Sequence, residues 1–232
     1  MNAAGSGAEG RDGWRPHRAR IALSWALAIG LRALVASAAS AANPGAVTLG
    51  LEAGGRSFDA MSVGDARPQS RGEVTTALEI GYTTGPHWIV SASGRFGGAW
   101  FDITNNAGGS GNIEDDSWAV RSFIDRQVRL SSGQALTFGL GYEYGEARSW
   151  VKNAVFSDEG PHTFTSGGAF RAGIHQAWGS RVELHAALEQ AIYHAHATDA
   201  SVGNVYNWLG RAFSATVGVR FIVIRGREEP GH

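Results

Sequence analysis

Ser117 follows the pair Asp115-Asp116, and His194 and His196 stand downstream beside Glu189. A serine hydroxyl activated by an imidazole that a carboxylate orients is the equipment of acyl transfer and hydrolysis. Ser117, His194 and Glu189 are therefore the candidate nucleophile, base and orienting acid. His194 and His196 could also hold a metal, but no third His or acid stands at a supporting spacing. No motif calls for a cofactor, and the absence of cysteine excludes thiolate metal sites and disulfides.

A larger set of charges has a different logic. Glu52, Glu79, Glu143, Glu183 and Glu189 share a strand parity with Arg56, Arg95, Arg121, Arg171 and Arg220, five acids against five bases. Their neighbours on that parity are Gly, Ala, Ser and Thr. Charges so balanced neutralise one another when they meet in a narrow space, and unpaired they would cost several kcal/mol each. The expected arrangement is an ion-pair network closing a lumen, which argues against a wide water-filled pore.

The elements that would hold these residues are eight alternating segments near 47–58, 73–82, 88–100, 117–130, 135–150, 163–178, 182–193 and 208–223. In the segment from Val74, residues Val74, Thr76, Leu78, Ile80 and Tyr82 oppose Thr75, Ala77, Glu79 and Gly81. The last opposes Phe213, Ala215, Val217, Val219 and Phe221 to Ser214, Thr216, Gly218 and Arg220. Such alternation is that of strands with unlike faces. The linkers hold 14, 5, 16, 4, 12, 3 and 14 residues, long and short by turns. A chain crossing a membrane eight times sorts its loops this way. The fold class read from this pattern is all-β: an eight-stranded antiparallel up-and-down transmembrane barrel over residues 43–224. Four long loops are expected at one end, over Ser62–Gly72, Asn105–Asp116, Lys152–His162 and His194–Asn207. Both termini are expected at the other, periplasmic, end.

Residues 1–42 read as a signal peptide, with a basic stretch from Arg11 to Arg20, an apolar run Ile21–Leu31 and an Ala/Ser-rich end. A retained anchor over Ile21–Ala42 is the alternative. Residues 225–232 form a polar periplasmic tail. The net charge of −1 gives no electrostatic case for nucleic acid.

Six tryptophans follow the leader: Trp88, Trp100, Trp118, Trp150, Trp178 and Trp208. Each stands near a segment end, as an interfacial aromatic girdle requires. Arg126 falls on the lipid-facing parity close to a short turn. It either snorkels to the interface or marks a β-bulge that shifts the parity; Phe123 on the inward parity suggests the bulge.

With these residues in view, the chain over about 47–223 resembles the small eight-stranded outer-membrane proteins: the opacity family and the outer-membrane protein A and X types. Thr216, Gly218, Phe221 and Val223 look like the polar-x-Gly-x-x-aromatic-x-hydrophobic signal read by the outer-membrane assembly machinery. The resemblance implies an outer-membrane location among lipids and lipopolysaccharide, and a surface role in envelope integrity, adhesion or recognition of a host or surface ligand. Lipid-modifying barrels of similar architecture, acting on lipid A by acyl transfer or deacylation, make Ser117, Glu189 and His194 the enzymatic alternative. The His-x-Ser spacing of the deacylases is absent, since Ala197 and Thr198 follow His196. A narrow porin-like channel is a further alternative.

Overall fold

The computed structural model describes residues 44–62, 65–104, 110–131, 133–152, 157–199 and 203–226. The expected leader and the tail beyond Gly226 lie outside the described residues. The strands are β1 (Val47–Ser62), β2 (Asp65–Gly85), β3 (Trp88–Thr104), β4 (Ser110–Arg129), β5 (Gln134–Lys152), β6 (Ser157–Ala177), β7 (Val182–Asp199) and β8 (Asn204–Ile224). Each pairs antiparallel with the next, and β8 pairs with β1 to close the ring.

Closure divides every strand into two faces. Outside, Leu140, Val74 and Leu209 are 71%, 70% and 74% exposed. Inside, Glu52, Arg95, Arg121 and Glu189 are buried. A water-soluble barrel would invert this arrangement. Side chains this greasy on a continuous outer surface are solvated by hydrocarbon, and closure leaves no unpaired backbone edge within it. The apolar band runs over Val74–Tyr82 and Leu136–Tyr144, nine residues in each case. A tilted strand needs roughly 9–11 to cross a bilayer.

The strands are longer than this band, which corrects the expectation of four long loops. β2 begins at Asp65, β4 at Ser110 and β6 at Ser157, while β7 runs on to Asp199. Most of each expected loop is therefore hydrogen-bonded strand. Beyond the band the outward residues need not be apolar, as Ser70, Gly72, Asp116 and Arg148 are not. Hydropathy alternation stops there although the backbone ladder continues.

The overhanging sheet is not closed all round. Pairing of β1 with β8 ends at Phe58–Ala212, and pairing of β2 with β3 ends at Val74–Gly98. Above those points the β1–β2 hairpin leaves the six-stranded wall formed by β3 to β8. Tyr193 helps to seal the first seam: its hydroxyl donates to the Asp59 carbonyl at 2.8 Å and accepts from the Asp59 N–H at 3.0 Å.

The registers of β3–β4 and β4–β5 run without a shift through Arg126. Of the two alternatives there, the bulge is absent and Arg126 keeps its lipid-facing parity. Arg126 points outward between Trp88 and Phe138, and Phe123 points inward, 2% exposed. The ring of Phe123 packs inside because the Arg171 guanidinium lies over it, 4.2 Å from the centroid.

Candidate functional site: the bore and the barrel ends

Alternating parity brings all ten of the charged residues singled out in the sequence into the bore. Near the loop end, Ser117 donates to Glu73 at 2.6 Å. Arg56 lies 3.8 Å from Glu73 and also binds Glu143. Glu143 binds Arg95, which lies 3.3 Å from Glu189. Arg121 donates to both oxygens of Glu189 and, at 3.2 Å, to Glu52. Glu52 in turn accepts from His185 at 3.0 Å. This is one continuous ladder of alternating charge.

A second, shorter ladder lies toward the turn end. Arg220 binds Glu79 at 2.5 Å, Glu79 binds Arg171 at 2.6 Å, and Arg171 binds Asp125. The ladders meet at the imidazoles of His175 and His185, stacked with centroids 5.7 Å apart. His175 touches Thr137 at 3.1 Å and Arg220 at 3.2 Å, and Glu183 lies 4.0 Å away. At the loop end Arg71 closes the bore by donating to both oxygens of Asp115 and to Ser149.

Arg71, Glu73, Asp115, Asp125 and His175 belong to this network but were not singled out in the sequence. Asp125 was within reach, being four residues from Arg121 on the same parity. Arg71 and Asp115 lie in the overhang, where hydropathy carries no strand signal. The network fills the bore with side chains whose charges pair with one another. Removing a single partner of such a pair leaves a bare buried charge, a loss of about 3–5 kcal/mol.

The candidate catalytic set is dispersed. Ser117 faces inward and is engaged by Glu73. Glu189 faces inward and is held by Arg95 and Arg121. His194 faces outward and is exposed, on the far side of the β-sheet from both. The expected nucleophile–base–acid arrangement is thus corrected: the wall of the barrel separates its base from the other two members. His196 meets Asn207 at 2.9 Å through Nδ1. Among the described residues no cluster of three or more His, Asp or Glu is suited to a metal.

The tryptophans occupy several environments. Trp88 and Trp178 are exposed at the turn end. At the other rim Trp118 donates to Glu146 at 3.0 Å and packs against Tyr144, with centroids 5.9 Å apart. Trp150 is partly exposed, next to the inward Ser149. Trp208 departs from the expected girdle. On β8 it shares the inward parity of Gly210, Ala212 and Ser214 and packs against the cluster of Phe58, Ala60, Tyr193 and Ala195. The side chain of Trp100 lies outside the described residues. Of the expected assembly signal, Thr216 is buried and Gly218 adjoins His185, whereas Phe221 and Val223 face outward.

On the outer face, Glu146 is the next outward residue above Tyr144, beyond the apolar band. Arg148 donates to it at 2.6 Å, and His162 lies 3.0 Å away. The Arg148 hydrogen bond, helped by those of Trp118 and His162, holds the Glu146 carboxyl below the usual carboxylate range.

No protein-family model matches the chain, and no curated protein matches it. Solved structures do. The outer membrane protein OprG of Pseudomonas aeruginosa aligns at 11% identity, over 78% of this chain and 97% of that one, with a TM-score of 0.50. Neisserial surface protein A aligns at 12% identity, over 76% and 96%, with a TM-score of 0.49. Ail of Yersinia pestis, in complex with the heparin analogue sucrose octasulfate, aligns at 13% identity, over 77% and 99%, with a TM-score of 0.46. The ring of eight antiparallel strands, the lipid-facing band and the likeness to OprG define a small eight-stranded transmembrane β-barrel of the outer-membrane class.

Proposed function

We propose that this barrel is a non-conducting outer-membrane scaffold that presents a recognition surface outside the cell, serving adhesion or envelope integrity. The observation that carries the reading is the filled bore. Arg121, 1% exposed, reaches from β4 to Glu189 on β7 and Glu52 on β1. A bore spanned at mid-height by paired ions is a strut, and conduction through it would require those pairs to part. What is left to meet other molecules is the overhang. It combines a six-stranded wall with a separate hairpin, and β8 has no β1 partner over residues 204–211. Strand edges of this kind are ready templates for pairing with another chain.

Two measurements test this. Planar-bilayer recordings of the refolded barrel are expected to give no stable conductance steps. Replacing residues 99–113 by a tight turn is expected to abolish binding of displaying bacteria to cells or matrix while heat-modifiable gel mobility persists. Steady conductance, or binding unchanged by the replacement, would overturn the proposal.

A further inference from the structure

Every arginine of the bore is paired with a carboxylate; the arginines of the turn end are not. Arg126, Arg129, Arg181 and Arg225 are all exposed there, and none forms an ion pair among the described residues. The acids of that end, Asp125 and Glu183, are buried inside the barrel. Among the described residues, therefore, the rim presents four guanidiniums and no exposed carboxylate. At the loop end, in contrast, Asp116 is exposed and Glu146 is bound by Arg148.

The rim charges fall into two groups, each built on a tryptophan. In one, Arg126 sits outward beside Trp88, while Arg129, three residues on and of the inward parity it shares with its partner Ala135, is exposed at the mouth of the bore. The backbone bond from Gln127 N–H to the His87 carbonyl, 2.7 Å, brings His87 to the same place. In the other, Trp178 opens the turn through Gly179 to Arg181. Arg225 joins it by donating to Ser180 at 3.4 Å, and Ile222 N–H bonds the Arg181 carbonyl at 2.8 Å. An exposed indole marks headgroup height, where its apolar ring meets hydrocarbon and its N–H meets water. Unpaired guanidiniums at that height face lipid phosphates, which they bind in bidentate fashion.

We infer that the turn-end rim is a binding collar for anionic phospholipid headgroups of the inner leaflet, with Trp88 and Arg126 forming one seat, Trp178 and Arg225 the other, and Arg129 and Arg181 adding positive charge at the mouth of the bore. The inference rests on the membrane-spanning orientation of the proposed function, with short turns toward the periplasm. Neutral phospholipid offers each phosphate with its own cation attached. Phosphatidylglycerol offers it unopposed, so the collar selects by net headgroup charge. Each basic residue near such a surface contributes about 1 kcal/mol, about fivefold in affinity.

The test uses the full chain refolded into nanodiscs of phosphatidylethanolamine with and without phosphatidylglycerol, and native mass spectrometry of the lipids it retains. The wild-type barrel is expected to retain phosphatidylglycerol in preference, and high salt to abolish the preference. R126Q/R129Q and R181Q/R225Q should each lower it, and the fourfold variant should remove it. Arg211→Gln, at the loop end, should leave it intact. All four rim side chains are exposed and none is in an ion pair among the described residues, so the variants are expected to keep heat-modifiable mobility; the salt dependence of the wild type tests the inference independently. Equal retention of both lipids, or a preference that survives the fourfold variant, overturns it. So does co-sedimentation with peptidoglycan that depends on these arginines in the absence of any lipid preference. Loss of surface binding by the overhang would leave the lipid result unchanged, so the two readings fail separately.

Discussion

Arg121 Nη1 lies 2.7 Å from each carboxylate oxygen of Glu189, joining β4 to β7 across the bore. No backbone hydrogen bond connects these strands, which are separated in the ring by β5 and β6. The contact is a strut through the middle of the cylinder. Arg121→Ala leaves Glu189 with Arg95 alone and Glu52 with His185. It is expected to lower unfolding stability by about 3–5 kcal/mol, read from urea titration of the barrel in lipid vesicles. Glu189→Ala should cost a similar amount, and the double variant less than the sum of the two. Additive losses would show that the pair is not coupled.

Gly141 is directly paired with Phe123, and a methyl group there would lie 2.5 Å from the Phe123 ring and 2.2 Å from the Ser122 carbonyl. The glycine lets an inward aromatic lie flat against the neighbouring strand. Gly141→Ala is expected to destabilise by about 1–3 kcal/mol, the range for overpacking. The folded fraction on unheated gels checks this. Gly168, with open space around it, is the control, and its alanine variant should fold as well as the wild type.

Trp208 and Trp178 look alike in the sequence, each beside a segment end. Inside the barrel, Trp208 packs against the apolar cluster that includes Phe58 and Tyr193, so Trp208→Ala leaves a cavity. Its cost is expected toward the lower end of the roughly 3–5 kcal/mol of core Trp truncations, because the ring is only partly buried. Trp178→Ala exchanges a lipid contact and should cost less in detergent micelles. Urea midpoints of the two variants in one detergent settle the order, and a larger loss for Trp178→Ala would contradict the inward placement.

Glu146 stabilises through its ionised form. Its carboxyl is held below 4.5 when folded, chiefly by the Arg148 hydrogen bond. The contribution is therefore complete above the unfolded carboxyl value of 4.5 and is lost as pH falls through the folded value. Glu146→Gln is expected to flatten the acid limb of the stability profile while leaving its neutral-to-alkaline limb in shape. An unchanged acid limb would remove the cluster from the account.

The transmembrane part of the fold was legible in the sequence because hydrocarbon on one side and a tight bore on the other force strict alternation. Leu78 against Glu79 and Val120 against Arg121 carry that signal residue by residue. The overhang was not legible. Arg71 and Asp115 are on strands, but water outside and a polar mouth inside erase the contrast between faces. Trp208 was misplaced for a related reason: proximity to a segment end gives height, and only parity gives direction. The dispersal of Ser117, Glu189 and His194 was already implicit in parity, since His194 lies five residues from Glu189 and so on the opposite face.

The ladder described in the bore has a bearing on how the molecule is made. Arg95 on β3 reaches Ser214 on β8, Arg121 on β4 reaches Glu52 on β1, and Arg220 on β8 reaches Glu79 on β2. These pairs join strands that are not neighbours in the ring, so a sheet not yet closed would hold the partners apart and turn guanidiniums and carboxylates toward the lipid unpaired. Insertion and completion are therefore tied into one event, and a half-built wall has no stable resting place in the bilayer.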